Sequence, residues 1–579
     1  MPVITQVVNP GLLEVAYKRE LQKLTAANAV SRLWARDLTL WPEEECRRGS
    51  PKNNLAWLDL PQRLGPYMTL VVQHTGGLEE AGFKDLVFVG MGSANLAAET
   101  VANLPISKRG NRFLVLDSTD PSAIRSVEKE LDLRHTLFAF GSKSGKHIET
   151  HSVLLHFMGR LRASGVKSPG LHFLAATEEN SYLVVLARGY GFRGIFLDPP
   201  GISGRYSSPI HFGLLLSTLC RVDPSIILDR VAAMHEACCA KADSGANPAV
   251  ALGAWLAAGA QEGKGRLLLL TSRSLSPFAD LVAQAVGTST GKGSRGILPI
   301  GGDVPGNLEV FHHSSLAAEI TMRGEDVTGT KEAADSLAAA GVPMVRIELG
   351  GPEDLGAELF KWEVGSALAC ANLGVDPFGE PDTQDAREKT SETLGTLSTN
   401  HVLPTPTVRV REGGIELYAE KVARQEISTL NLGEALRTFF ELRKREGALV
   451  ILVFLSRSPE RETLLLQLRE RLALGLQIPV VINYGPRYLY SLGQVYKGGP
   501  ATSLFLVVTA KADEDLDIPG AGYTFGQLNL ALALGDFEAL GSRGRPVLRL
   551  HFTEGAEQGF KQLEGVVQRS LANVAHFRF

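Results

Sequence analysis

From residue 85 onward, short and uniformly apolar runs alternate with amphipathic segments, and that alternation fixes the class of fold. The runs LVFVGMG, RFLVLDS, TLFAFGS, LHFLAAT and GIFLDPP each end in a polar or glycine turn. Strands of a parallel sheet read this way because helical crossovers cover both faces. One doubly wound unit is therefore expected over residues 81–225. A second series, RLLLLTSR, NLEVFHH, PMVRIEL, ALVILVFL, PVVINYG, SLFLVVT and PVLRLHF, follows helical sequence near PAVALGAWLAAGAQEG. It predicts a second α/β unit over residues 226–579 with helical arms, and a β-hairpin inserted near 407–420 on Gly413 and Gly414. Ahead of both, residues 1–80 read as a helical segment whose Trp34, Trp41 and Trp57 pack on the body of the protein.

Size and composition agree with this division. A chain of 579 residues outgrows a single core, and 44% hydrophobic residues supply enough apolar side chains for more than one. The 59 Lys and Arg against 63 Asp and Glu leave a net charge of -4, which gives no case for nucleic acid or a membrane surface as partner. Cys46, Cys220, Cys238, Cys239 and Cys370 show no CxxC spacing, which argues against zinc and against a disulfide framework, so they read as reduced core residues. The start MPVITQVVNPGLLEVAYKRE lacks a basic region followed by an apolar block, and no run reaches the roughly 18 apolar residues of a membrane span. The cytoplasm is the expected compartment, and no spacing implies a metal or an organic cofactor.

Ligands of α/β sheets sit beyond the carboxyl ends of the strands, where helix N-termini present free N–H groups. Two turns suit an anion there. In VFVGMGSANLAAE, Gly90 and Gly92 admit close backbone approach and Ser93 offers a hydroxyl. In FAFGSKSGKHIET, Ser142 and Ser144 bracket Lys143 ahead of Gly145. Either turn alone fits an ordinary strand-to-helix connection equally well. Neither matches GxxxxGK[ST] or GxGxxG with a following acid, so a small phosphorylated metabolite is favoured over a nucleotide. In LDPPGISGRYSSPIHFGLLL, Arg205 follows a glycine turn as a fixed positive charge, suited to an oxyanion or to pairing with a loop acid.

In their order and spacing, GMGS, SKSGKHIET and GISGRYS resemble the glucose-6-phosphate isomerase family. RLWARDLTLW, TSTGKGSRGILPI, DPFGEPDTQDAR, NYGPRYLYSLGQVYKGGP and YTFGQLNLALALGDFEALGSRGRPVLRLH are similar to the version found in bacterial transaldolase/glucose-6-phosphate isomerase fusions. The resemblance runs over nearly the whole chain. It implies two doubly wound, mainly parallel sugar isomerase (SIS) domains, each an α-β-α sandwich with flanking helices. It also implies a homodimer, a sugar phosphate such as glucose 6-phosphate or fructose 6-phosphate as ligand, and association with a separate transaldolase.

The family's reaction moves a proton between C1 and C2 of the sugar, which takes a carboxylate base, a cation on the enediolate oxygen, and acid/base groups that open the ring. The resemblance places the base at the Glu that opens a motif like ESTGK, where this chain has Thr288 in TSTGK. It places the ring-opening His at Tyr490 in YLYSLGQ, a second His at Tyr496 in VYKGG, and a Lys at Arg387. A threonine hydroxyl is no base without a strong activator, and a guanidinium keeps its proton. The binding side matches better: Gly92, Ser93, Ser142, Lys143, Ser144 and Arg205 are retained, while two Thr of a motif like SKSGTT become Lys146 and His147. The expectation is a phosphosugar-binding protein whose catalysis is impaired or diverged. The alternative is an active aldose-ketose isomerase with relocated groups, for which Asp303, Glu149 and Glu380 are the candidates.

Overall fold

The computed structural model describes residues 4–41, 55–60, 62, 63, 69, 71, 73, 75, 81–104, 112–198, 201, 202, 204–206, 224–239, 246–302, 305–404, 406–572 and 574. They divide into two units, one of Met1–Asp117, Val127–Val304 and Ser315–Glu380, the other of Ser118–Ser126, Pro305–Ser314 and Pro381–Phe579. Each unit is an α/β assembly of sheet cores flanked by helices.

The first unit contains β1 (Thr5–Asn9), β2 (Asp85–Gly90), β3 (Arg112–Leu116), β4 (Thr136–Gly141), β5 (Phe173–Glu178), β6 (Gly194–Asp198), β7 (Arg266–Thr271), β8 (Leu298–Ile300), β9 (Ser315–Met322) and β10 (Met344–Leu349). One sheet has the order β3-β2-β4-β5-β6 and the other β1-β10-β9-β7-β8. All pairings are parallel except β1 with β10. The apolar runs make this possible: β2, β4, β7 and β9 are buried at every position, as strands covered on both faces must be. In β4 the Phe138 ring lies 4.5 Å from Phe157 and 5.4 Å from Phe173, contacts of the kind whose truncation to alanine costs about 3–5 kcal/mol. The helix Leu355–Leu373 is buried on nearly all sides, with Phe360, Trp362 and Leu368 fully enclosed. Trp41 and Trp57 are buried in the same unit, and Trp41 Nε1 donates to Ala367 O at 3.0 Å.

The second unit contains β11 (Val410–Glu412), β12 (Ile415–Ala419), β13 (Leu449–Val453), β14 (Val480–Tyr484), β15 (Leu504–Ala510) and β16 (Val547–Phe552), in the order β11-β12-β16-β15-β13-β14. β13 to β16 are parallel, and β11 with β12 forms a hairpin that turns through Gly413 at φ 56°.

Strands read from residues 226–579 therefore contribute to two sheets in two units, and three sheets stand among the described residues. NLEVFHH is a loop with a short 3-10 turn at Glu309–Phe311, and the strand lies just beyond it as β9. Its sequence SLAAEITM carries Ala and Glu, residues of helical preference, and burial between β10 and β7 overrides them. Cys238, Cys239 and Cys370 are buried, while Cys46 and Cys220 fall outside the described residues. No helix among the described residues is long and apolar enough to cross a membrane.

Candidate functional site

In the first unit the chain runs from β2 to β3 on one side and then to β4 on the other, so the turns after β2 and β4 flank a crevice at their carboxyl ends. Gly90 and Gly141 are Cα partners at that point. A Cβ on Gly90 would lie 2.5 Å from Gly141 O, so the approach of the two strand ends requires glycine. Gly92 then takes φ 71° as N-cap of the helix Ser93–Asn103. Ser93 Oγ donates to Gly204 O at 3.0 Å, which fastens this turn to the residue before Arg205.

The turn after β4 is welded to the end of β5. Ser142 N donates to Ala176 O at 3.2 Å, Glu178 N donates to Lys143 O at 3.2 Å, and Thr177 Oγ1 lies 2.7 Å from Ser142 O and 3.1 Å from Lys143 O. Gly145 sits at φ 65°, and a Cβ there would fall 2.3 Å from Leu183 N. Ser142 is buried and its Oγ has no partner among the described residues. Lys143 Nζ faces Glu178 Oε1 at 3.2 Å, an ion pair that leaves Nζ without a hydrogen-bond acceptor. Ser144 Oγ accepts from Lys146 N at 3.3 Å, the Lys146 side chain is exposed, and His147 is the half-buried N-cap of the helix Ile148–Ala163. Asp198, the Cα partner of Glu178 on β6, has its carboxyl pushed up to about 6 by burial, while the charge of Lys143 pulls the other way.

Arg205 is buried and its guanidinium is committed. It donates to Glu380, to Phe378 O, to Pro377 O at 3.0 Å and to Gly379 O at 3.2 Å. Lys292 grips the same segment, donating to Asp376 O and, at 2.9 Å, to Ser289 O. Burial, then the neighbouring Arg205 charge, lowers Lys292 to about 8. Thr288 is buried in the last turn of the helix Ser276–Thr290, and the next residue, Ser289, shares a 2.7 Å hydrogen bond with Tyr206 OH. The position implied for the base thus carries a hydroxyl in a closed core. Glu380 is paired with the Arg205 guanidinium, Glu149 is fully buried in the first turn of its helix, and Asp303 falls outside the described residues.

In the second unit two substituted positions meet: the Arg387 guanidinium lies 5.1 Å from the centre of the Tyr490 ring, a cation–π contact. Tyr496 is buried and its OH accepts from Asn483 Nδ2 at 2.6 Å. Tyr488 OH donates to buried Asp536 at 2.5 Å, and Lys497 pairs with the same carboxylate. Burial, with the Asp536 charge beside it, drives the Tyr488 hydroxyl well above the usual phenol range. Among the described residues no group of three or more His, Cys, Asp or Glu is placed to hold a metal ion.

Lys292, Glu178 and Asp198 were not singled out by the sequence reading. The signal for the two acids was present: each is the last residue of a parallel strand, the end at which such sheets bind ligands.

No family model matches the chain. It is 25% identical over 370 residues to a probable glucose-6-phosphate isomerase of Haloquadratum walsbyi, a match covering 57% of this chain and 85% of that protein. It is 24% identical over 349 residues to the glucose-6-phosphate isomerase of Methanocaldococcus jannaschii, covering 53% and 83%. Over 172 residues it is 30% identical to that of Thermus thermophilus, covering 29% of this chain and 40% of that protein. Among solved structures, a hypothetical protein from Thermus thermophilus superposes with a TM-score of 0.58 at 20% identity over 67% of this chain and 100% of its own. A glucose-6-phosphate isomerase from Chlamydia trachomatis gives 0.56 at 17% identity, over 69% and 89%. At these identities the structural likeness concerns the fold.

Proposed function

We propose, from the chain's distant homology to SIS-domain glucose-6-phosphate isomerases, that it binds a phosphosugar in the first unit and has lost most or all of the isomerase reaction. The reading rests on one observation: the cradle around Ser142 and Lys143 keeps polar groups for an anion, while Thr288 replaces the base and Arg205 is spent on Glu380 and residues 377–379. Each missing acid/base group is worth on the order of 10²-fold or more in rate, and Thr288, Arg387 and Tyr490 stand at three such positions. The ligand is glucose 6-phosphate, fructose 6-phosphate or a close relative. The protein acts as a homodimer, of the subtype found in transaldolase fusions, and a separate transaldolase is its candidate partner.

The test is proton exchange. Protein incubated with fructose 6-phosphate or glucose 6-phosphate in D2O and followed by NMR is expected to leave C1 and C2 undeuterated while the ligand raises the melting temperature. Deuterium at C1 or C2 at ordinary enzyme rates overturns the reading in favour of an active isomerase with relocated groups. Light scattering is expected to report a dimer.

A further inference from the structure

The phosphate cradle carries its own anion. Lys143 Nζ is held by Glu178 Oε1 at 3.2 Å, with side-chain exposures of 19% and 41%. The contact is not an accident of two mobile side chains, because the backbone sets it. Glu178 N donates to Lys143 O at 3.2 Å, Ser181 N closes the following turn on Glu178 O at 3.1 Å, and Thr177 Oγ1 bridges the carbonyls of Ser142 and Lys143. Ser142, the residue before Lys143, has a buried Oγ with no hydrogen-bond partner among the described residues. Asp198, next to Glu178 across the sheet, adds a second carboxyl within the field of Lys143.

We infer that Glu178 is an affinity-setting residue: phosphate binds by exchange, the ligand taking Lys143 and Ser142 Oγ while the Glu178 carboxylate gives up its cation and turns to solvent. This rests on the phosphosugar reading and adds to it a reason for selectivity. A monoanion as weak as a lone carboxylate gains nothing by displacing Glu178, which already supplies one. A phosphoryl dianion brings more charge and three acceptor oxygens, enough for both Lys143 and Ser142. The 41% exposure of Glu178 lets the displaced carboxylate be hydrated, so the exchange does not bury an unpaired charge.

The test titrates wild type, Glu178→Gln and Glu178→Ala with glucose 6-phosphate and, separately, with sulfate, whose charge is constant near neutrality, using isothermal calorimetry. Both variants are expected to bind both anions roughly two- to fivefold more tightly than wild type, the fold-change that a half-exposed competing ion pair withholds. Unchanged affinity for a phosphosugar in all three proteins overturns the role of Glu178 and leaves the phosphosugar reading standing. Weaker binding by the variants, with melting temperatures unchanged, overturns it in the other direction by making Glu178 a support for Lys143. No binding of either anion by any of the three sinks the exchange and the phosphosugar reading together.

Discussion

Two turns in this molecule share a Ser-cation-Ser pattern, and their side chains are engaged differently. After β4 the sequence is Ser142-Lys143-Ser144-Gly145; after β13 it reads Ser456-Arg457-Ser458-Pro459. In the second turn every group is consumed. Ser458 Oγ caps the helix Pro459–Leu476 by accepting from Arg461 N at 3.2 Å, Arg461 donates to Ser456 O and, at 2.9 Å, to Ser456 Oγ, and Arg457 lies 4.7 Å from the centre of the Tyr484 ring. Asp120, lodged in the same unit, accepts the N–H of Ser456. In the first turn Gly145 at φ 65° delays the helix, so Ser144 does not cap it and Ser142 Oγ is left over. The next residue, glycine or proline, decides whether the second serine caps the following helix.

The comparison breaks most easily at Gly145. Replacing it with Val forces a Cβ to 2.3 Å from Leu183 N at a positive φ, and we expect about 3 kcal/mol of lost stability together with loss of phosphosugar binding, read by urea unfolding and calorimetry. Next in size is charge removal. Lys143→Met is expected to weaken glucose 6-phosphate binding by roughly 10- to 100-fold with little change in melting temperature, whereas Arg457→Met leaves binding alone. Equal effects of the two substitutions would erase the distinction between the turns. Ser458→Ala removes a helix cap and is expected to cost about 1 kcal/mol in unfolding free energy without touching ligand affinity.

A different kind of effect is a pH dependence at Asp198. Asp198 lies at about 6 in the folded protein against an ordinary 3.8, so between those values the unfolded chain binds fewer protons and stability falls as pH rises. Asp198→Asn lacks this loss. Its stability relative to wild type should therefore climb from about pH 4 to about pH 6 and level off above, as measured by paired urea titrations. A flat difference across that range would show that Asp198 is ordinary.

Much of this was legible in the chain. Runs such as LVFVG and TLFAFG declare buried parallel strands because nothing polar interrupts them, and the Gly and Ser turns after β2 and β4 declare a backbone that must approach something closely. What stayed hidden depends on partners far away in sequence. β1 has an alternating, half-exposed pattern typical of an edge, and its pairing with β10 joins residues more than 300 positions apart, so local sequence gives it no strand signature. Glu178 and Asp198 close their strands in separate parts of the chain, and only the register of β5 with β6 sets them side by side. Arg205 was readable as a cation, but whether it faced a ligand or a loop acid was not. The answer came from Pro377, Phe378, Gly379 and Glu380.

The clamp between Arg205 and Glu380 spans 175 residues. During synthesis Arg205 leaves the ribosome long before its partner exists, a wait of roughly 10 to 35 s at ordinary elongation rates. For that interval a guanidinium destined for the interior sits in water, and the segment it will hold has not been made. Closure of this unit is therefore set by translation of residues 376–380, and a nascent chain truncated before them would carry both grips, Arg205 and Lys292, without the segment they hold.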